Sequence, residues 1–98
     1  MKQRRIVCAA NREPGTGEII LGARHWDMTM RAAYDVWKKA NQVETKAMLF
    51  SDQGFIDQWG VFLNRQEAWK VAEAAGQILY RCGGDDSNGG TLYSENLY

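Results

Sequence analysis

Gln53–Ile78 reads QGFIDQWGVFLNRQEAWKVAEAAGQI, and this stretch decides the fold because three structural signals follow one another within it. Phe55 and Ile56 run into Asp57-Gln58-Trp59-Gly60, where Asp suits the first position of a type I turn. Gly60 accepts the left-handed conformation that closes a bulged hairpin. Val61-Phe62-Leu63 returns as the second strand. Asn64-Arg65-Gln66-Glu67 then has capping-box spacing, with the Asn64 side chain taking a helix N–H and Glu67 reaching back to the cap. Ala68, Val71, Ala72 and Ala75 fall on one face at helical spacing, and Gly76 stands where a left-handed residue ends the helix. Trp69 projects about 100° from Ala68, beside polar Arg65 and Glu73, and a bulky ring on that flank suggests an interface.

Toward the N-terminus, Arg5–Ala10 and Glu18–Leu21 are short runs of β-formers separated by Pro14 and two glycines, which predicts a hairpin. No lysine-bearing phosphate loop is present there. Gly22–Asp27 leads into a first helix with Asp27 as its cap. Met30, Ala33, Tyr34 and Trp37 form an apolar stripe, with Arg31, Asp35, Lys38 and Lys39 on the other side. The stripe suits the core or, in part, a subunit contact. Asn41 and Gln42 end the helix, and Lys46–Ser51 is strand-like.

Toward the C-terminus, Gln77–Tyr80 reads as a further strand. Cys82–Gly90 packs four glycines with Asp, Ser and Asn into a loop expected to be mobile unless bound. Thr91–Tyr98 regains aromatic and aliphatic residues and is expected to dock instead of fraying, and its Tyr93 and Tyr98, with the flanking Trp69 and the thin core, point to a homodimer. The expected architecture is α+β, a small antiparallel sheet with two principal helices in one domain spanning residues 1–98.

A chain of 98 residues has a thin core, burying roughly 60–65% of its unfolded surface. Four Trp, four Tyr and three Phe are more rings than such a core readily hides, which leaves some for a subunit contact or a ligand. Twelve basic and twelve acidic residues cancel, which argues against a nucleic-acid polymer as partner. Cys8 and Cys82 have the look of reduced cytoplasmic thiols, and the single His25 offers no metal-ligand spacing, so neither metal nor cofactor is expected. No run is long enough to span a membrane, and Met1–Arg5 lacks the apolar region of a secretion signal.

No nucleophile stands beside an evident base, and no paired carboxylates share a face, so the expectation is a binding protein, not an enzyme. Phe55, Phe62 and Trp59 can stack on a base, Asn64 and Gln77 can read polar edges, and Arg24, Arg65 and Arg81 can meet phosphate. Arg24 and His25 flank a helix N-terminus, which favours anions. Each has an ordinary alternative: Phe55 and Phe62 as core, Asn64 as a cap, the arginines as solvated surface, and Arg24 and His25 bonded to nearby carbonyls.

The succession R-x-I-V-C-A-A, G-A-R-H, Q-G-F-I-D-Q-x-G-x-F-L-x-R-x-E-A and L-Y-S-E-N-L-Y, covering most of the chain, resembles the first family of Thoeris anti-defence proteins. Those are phage sponges that sequester a glycocyclic ADP-ribose-type immune signal, some members also taking cyclic oligonucleotides. The resemblance implies a nucleotide-binding homodimer, extended in some members to higher assemblies such as a hexamer of dimers, in the cytoplasm of an infected host cell. By position it makes Phe55 the stacking aromatic, Asn64 the ligand-reading amide and Arg24 a phosphate contact. Arg81 matches an arginine used for larger cyclic ligands, although the Cys82–Gly90 loop departs from the family pattern. A small protein-binding inhibitor of a host defence enzyme is the competing expectation, and a nucleotide hydrolase the third.

Overall fold

The computed structural model describes residues 2–44 and 49–98. Ile6–Arg12 (β1) and Ile19–Gly22 (β2) form the first hairpin, Met28–Ala40 is the first helix (α1), and Asp52–Asp57 (β3) pairs with Phe62–Asn64 (β4) before the second helix, Arg65–Ala74 (α2). The four strands are antiparallel in the order β2-β1-β3-β4. This is the α+β architecture expected from the sequence.

Directly opposed residues share a face of a sheet, so Gly22, Ala9, Phe55 and Leu63 make one row across all four strands. That row is buried, and it joins Met30 and Tyr34 of α1 and Ala68, Trp69 and Ala72 of α2 in the core. The helix stripes are therefore core. Trp37 is partly buried, its ring edge-on to Phe50 at 5.0 Å and its Nε1–H donating to Glu18.

Local chemistry sets the boundaries. Asp57 accepts from the Trp59 and Val61 amides through Oδ1 and from Arg4 through Oδ2, fixing the β3–β4 turn, while Gly60 takes a φ of 78°. The Asn64 side chain accepts from Glu67 N at 2.8 Å and Glu67 accepts from Asn64 N at 3.0 Å, completing the capping box. Gly76, at φ 68°, donates to Glu73 O while Gln77 donates to Ala72 O, the paired reversal that ends a helix through a left-handed residue. Among the described residues no helix is long and apolar enough to cross a membrane.

Three expectations change. Lys46, Ala47 and Met48 of the expected strand at Lys46–Ser51 lie outside the described residues, and Leu49–Ser51 is not strand. Gln77–Tyr80 is not a strand either. The Gln77 amide bridges Ile6 by donating to its carbonyl and accepting from its N–H, both at 2.8 Å, and the Leu79 and Tyr80 amides both donate to Asn96 O. These polar groups are satisfied without a strand partner.

The glycine-rich Cys82–Gly90 loop has its own scaffold. Asp85, buried at 3% exposure, accepts from Arg81 Nε and Nη2, Cys82 N and Asn96 Nδ2, and its carbonyl accepts from Thr91 N. The hydrogen-bonded Arg81 guanidinium, followed by the Cys82 amide, holds the Asp85 carboxyl far below the usual carboxylate range.

Trp69 is not an exposed flank. It is 7% exposed, with Arg81 over its ring at 5.5 Å and Gly90 lying on it. A Cβ at Gly90 would sit 2.1 Å from Trp69 Cδ1, and the glycine holds a φ of 121°. Gly90→Ala thus meets both a clash and a backbone penalty, the latter alone about 1–3 kcal/mol. Urea unfolding should show a clearly lowered midpoint; an unchanged midpoint would show that Trp69 is not sealed by this contact.

Candidate functional site

Three of the seven predicted ligand residues come together, and the C-terminal segment joins them. Trp26 adopts a left-handed φ of 57° in the β2–α1 junction, and Asp27 beside it accepts from Met30 N and Arg24 N. The α1 N-terminus thus carries its own anion, and the expected phosphate seat there is taken by Asp27.

His25 points from this junction toward the sheet. Its Nε2 lies 2.7 Å from Gly54 O, and its Nδ1 lies 3.2 Å from Ser94 Oγ. A carbonyl only accepts, so Nε2 carries the proton and Nδ1 accepts from the Ser94 hydroxyl. The ring also sits edge-on to Phe55, 5.0 Å between centroids. Burial, then the nearby Arg65 charge, brings the His25 pKa down to about 4.

Arg65 opens α2 and locks the C-terminal segment from both directions. Its carbonyl accepts from Leu92 N at 3.0 Å, and its Nη1 donates to Leu92 O at 2.8 Å. Nη2 donates to Gln53 at 2.6 Å, and the guanidinium lies 4.9 Å from the Tyr93 ring centroid and 6.0 Å from that of Phe55. Burial pushes its pKa down, and among the described residues it forms no ion pair. Arg24 holds the far end of the segment. It donates to Tyr98 O, lies over the Tyr98 ring at 5.3 Å and pairs with Glu95 at 3.4 Å.

The other four candidates have structural duties. Phe55 is fully buried at 0% exposure and has no face free for a base; it is core, because its row of the sheet lies beneath the helices. Asn64 is exposed beside Arg65, but its oxygen is engaged as the helix cap. Gln77 is occupied by Ile6, and Arg81 by Asp85 and Trp69. Residue-by-residue reading missed Ser94 and Glu95, and it gave Tyr93 and Tyr98 to a subunit contact instead of to this cluster. The signal was the polar-aromatic density of Leu92–Tyr98. Among the described residues no group of three His, Cys, Asp or Glu is placed to hold a metal.

Two outcomes test this geometry. Phe55→Ala should cost about 3–5 kcal/mol in chemical denaturation, as core truncation does; a loss below about 1 kcal/mol would return the ring to the surface. For His25 the fold favours the neutral ring, so its contribution is full above the unfolded value near 6.5 and is lost as pH falls toward about 4. A ring titration by NMR should have its midpoint near 4, and His25→Gln should flatten the stability profile across that window. A midpoint near 6.5 would mean that the ring is solvated.

No curated protein and no solved structure matches the chain. Residues 5–98 match the family described as Phage T4 y16D protein, and the chain belongs to that family.

Proposed function

We propose that this protein is a phage sponge that binds a cyclic nucleotide immune signal of the glycocyclic ADP-ribose type, and cyclic oligonucleotides in addition, and withholds it without cleavage. The observation that carries this reading is Arg65: a half-buried guanidinium between aromatic rings, held by a carbonyl and an amide and by no carboxylate among the described residues. Such a cation attracts anions strongly, because burial weakens solvent screening, and its planar fork suits phosphate oxygens. Arg24 supplies a second guanidinium, and Tyr93 and Tyr98 supply rings of the kind on which a nucleobase stacks. In this reading the stacking role assigned to Phe55 passes to those tyrosines, with Asn64 at the rim.

The sponge acts as a homodimer in the cytoplasm of the infected cell, with no membrane or nucleic-acid polymer as partner. Leu79 at 67% exposure and Tyr80 at 58% offer apolar surface to the second copy. A second reading, a protein-binding inhibitor of a host defence enzyme, is favoured by a different feature. Trp59 is 59% exposed at the tip of a hairpin fixed by Asp57, a geometry suited to insertion into a partner's pocket.

One experiment separates these readings and a nucleotide hydrolase. The protein is mixed with cyclic ADP-ribose isomers or cyclic di- and trinucleotides, the free pool is measured, and the protein is then denatured by heat. A sponge depletes the pool and returns intact ligand, a hydrolase returns product, and an inhibitor leaves the pool untouched. By calorimetry Arg24→Ala should weaken binding roughly tenfold or more, from the loss of a charged hydrogen bond worth about 1.5–3 kcal/mol. Wild-type affinity in that variant would remove Arg24 from the site.

A further inference from the structure

We infer that Glu95 is a displaceable counter-ion of the site, a carboxylate that occupies Arg24 until a ligand phosphate takes its place. The inference rests on the sponge reading for the ligand's identity and on separate geometry for the device.

Glu95 sits between two anchored neighbours. Ser94 is 2% exposed and bonded to His25, while Asn96 is 0% exposed and bonded to Tyr80, Asp85 and Tyr93. The Glu95 side chain is 63% exposed, and its contact with Arg24 at 3.4 Å is loose beside the 2.7 Å pair of Arg81 with Asp85. The backbone is therefore pinned on both sides while the carboxylate is free to swing into solvent.

The cation behaves in the opposite way. Arg24 is also held by its bond to Tyr98 O and its place over the Tyr98 ring, contacts that do not involve Glu95. Removing the Glu95 carboxylate withdraws one anion from a guanidinium still positioned by the Tyr98 main-chain oxygen and ring, which favours a phosphate. The exchange is driven by charge: a diphosphate carries more negative charge than a carboxylate and can accept from several N–H groups. Glu95 consequently sets a threshold, disfavouring weak anions while allowing a polyphosphate ligand to displace it. An exposed pair of this kind is weak, which bounds the effect on affinity to about two- to fivefold.

The test uses inorganic pyrophosphate as one probe and cyclic ADP-ribose isomers as the other, each titrated at low salt into wild type, Glu95→Gln, Arg24→Ala and the double variant. The expected result is pyrophosphate binding about two- to fivefold tighter in Glu95→Gln. The gain should shrink at high salt, as screening removes the competition, and vanish in the Arg24→Ala background. Unchanged or weaker pyrophosphate binding in Glu95→Gln overturns the inference, as does a gain that persists without Arg24. If the pyrophosphate gain appears but no cyclic ADP-ribose isomer binds any variant, the counter-ion role stands and the sponge reading for that signal falls. If the isomers bind wild type and Glu95→Gln equally, with no pyrophosphate gain, the counter-ion role falls alone.

Discussion

The last quarter of the chain depends on one buried carboxylate. Asp85 accepts four hydrogen bonds, and the one from Asn96 Nδ2 ties the loop to the C-terminal segment. Asn96 in turn gathers the amides of Leu79 and Tyr80 on its carbonyl and that of Tyr93 on its side-chain oxygen. Without these bonds a stretch lacking sheet or long helix would leave many buried backbone groups unmet. With them, Leu92 and Leu97 reach the core and Gly90 closes on Trp69. The site is assembled by the same act, since Arg24, His25 and Arg65 all meet residues that this network has placed.

Three arginines settle their charge in three ways, and the differences assign their roles. Arg81 gives two short bonds to a buried acid and a stacking contact to Trp69, so it is committed to structure. Arg24 is paired with an exposed acid, an arrangement that solvent screens and a better anion can replace. Arg65 has only neutral partners among the described residues, and burial already disfavours its charge. A cation in that position is costly unless an anion arrives. In the sequence the three look alike, because each is simply an arginine near a helix end or a loop.

Legibility follows the range of the interactions. The hairpin turn at Asp57, the caps at Asp27 and Asn64, and the stop at Gly76 each depend on residues within five positions, and all were readable. Gln77–Tyr80 misled because its apolar composition suits a strand, whereas its polar groups are met from Ile6 and Asn96, distant in sequence. Trp69 misled for the same reason: its cover, Gly90, is 21 positions away across a loop with no recognisable periodicity. Phe55 shows a different limit. Its place in a strand was clear, but which face of the strand met the helices was fixed only by the pairing of Phe55 with Ala9 and Leu63. The convergence of Arg24, His25 and Arg65 on Leu92–Tyr98 joins three distant stretches, and local spacing encodes none of it.

This arrangement constrains how any ligand gains affinity. At Arg24 and Arg65 an incoming phosphate meets guanidinium groups already bonded to Tyr98 O and Leu92 O, not bare solvated ones. A guanidinium has five N–H donors, so an anion can add to Arg65 without displacing Leu92. Adding is favoured over displacing, because breaking the Leu92 link would leave a buried carbonyl unpaired at about 1–3 kcal/mol. Under the proposed function the segment works best as a fixed wall, its rings and main-chain oxygens holding both cations in place. A preorganised wall costs little entropy on binding, which is what the proposed capture would need of so small a chain. Glu95, with its side chain exposed, differs from the buried Ser94 and Asn96 beside it, whose bonds hold that wall in place.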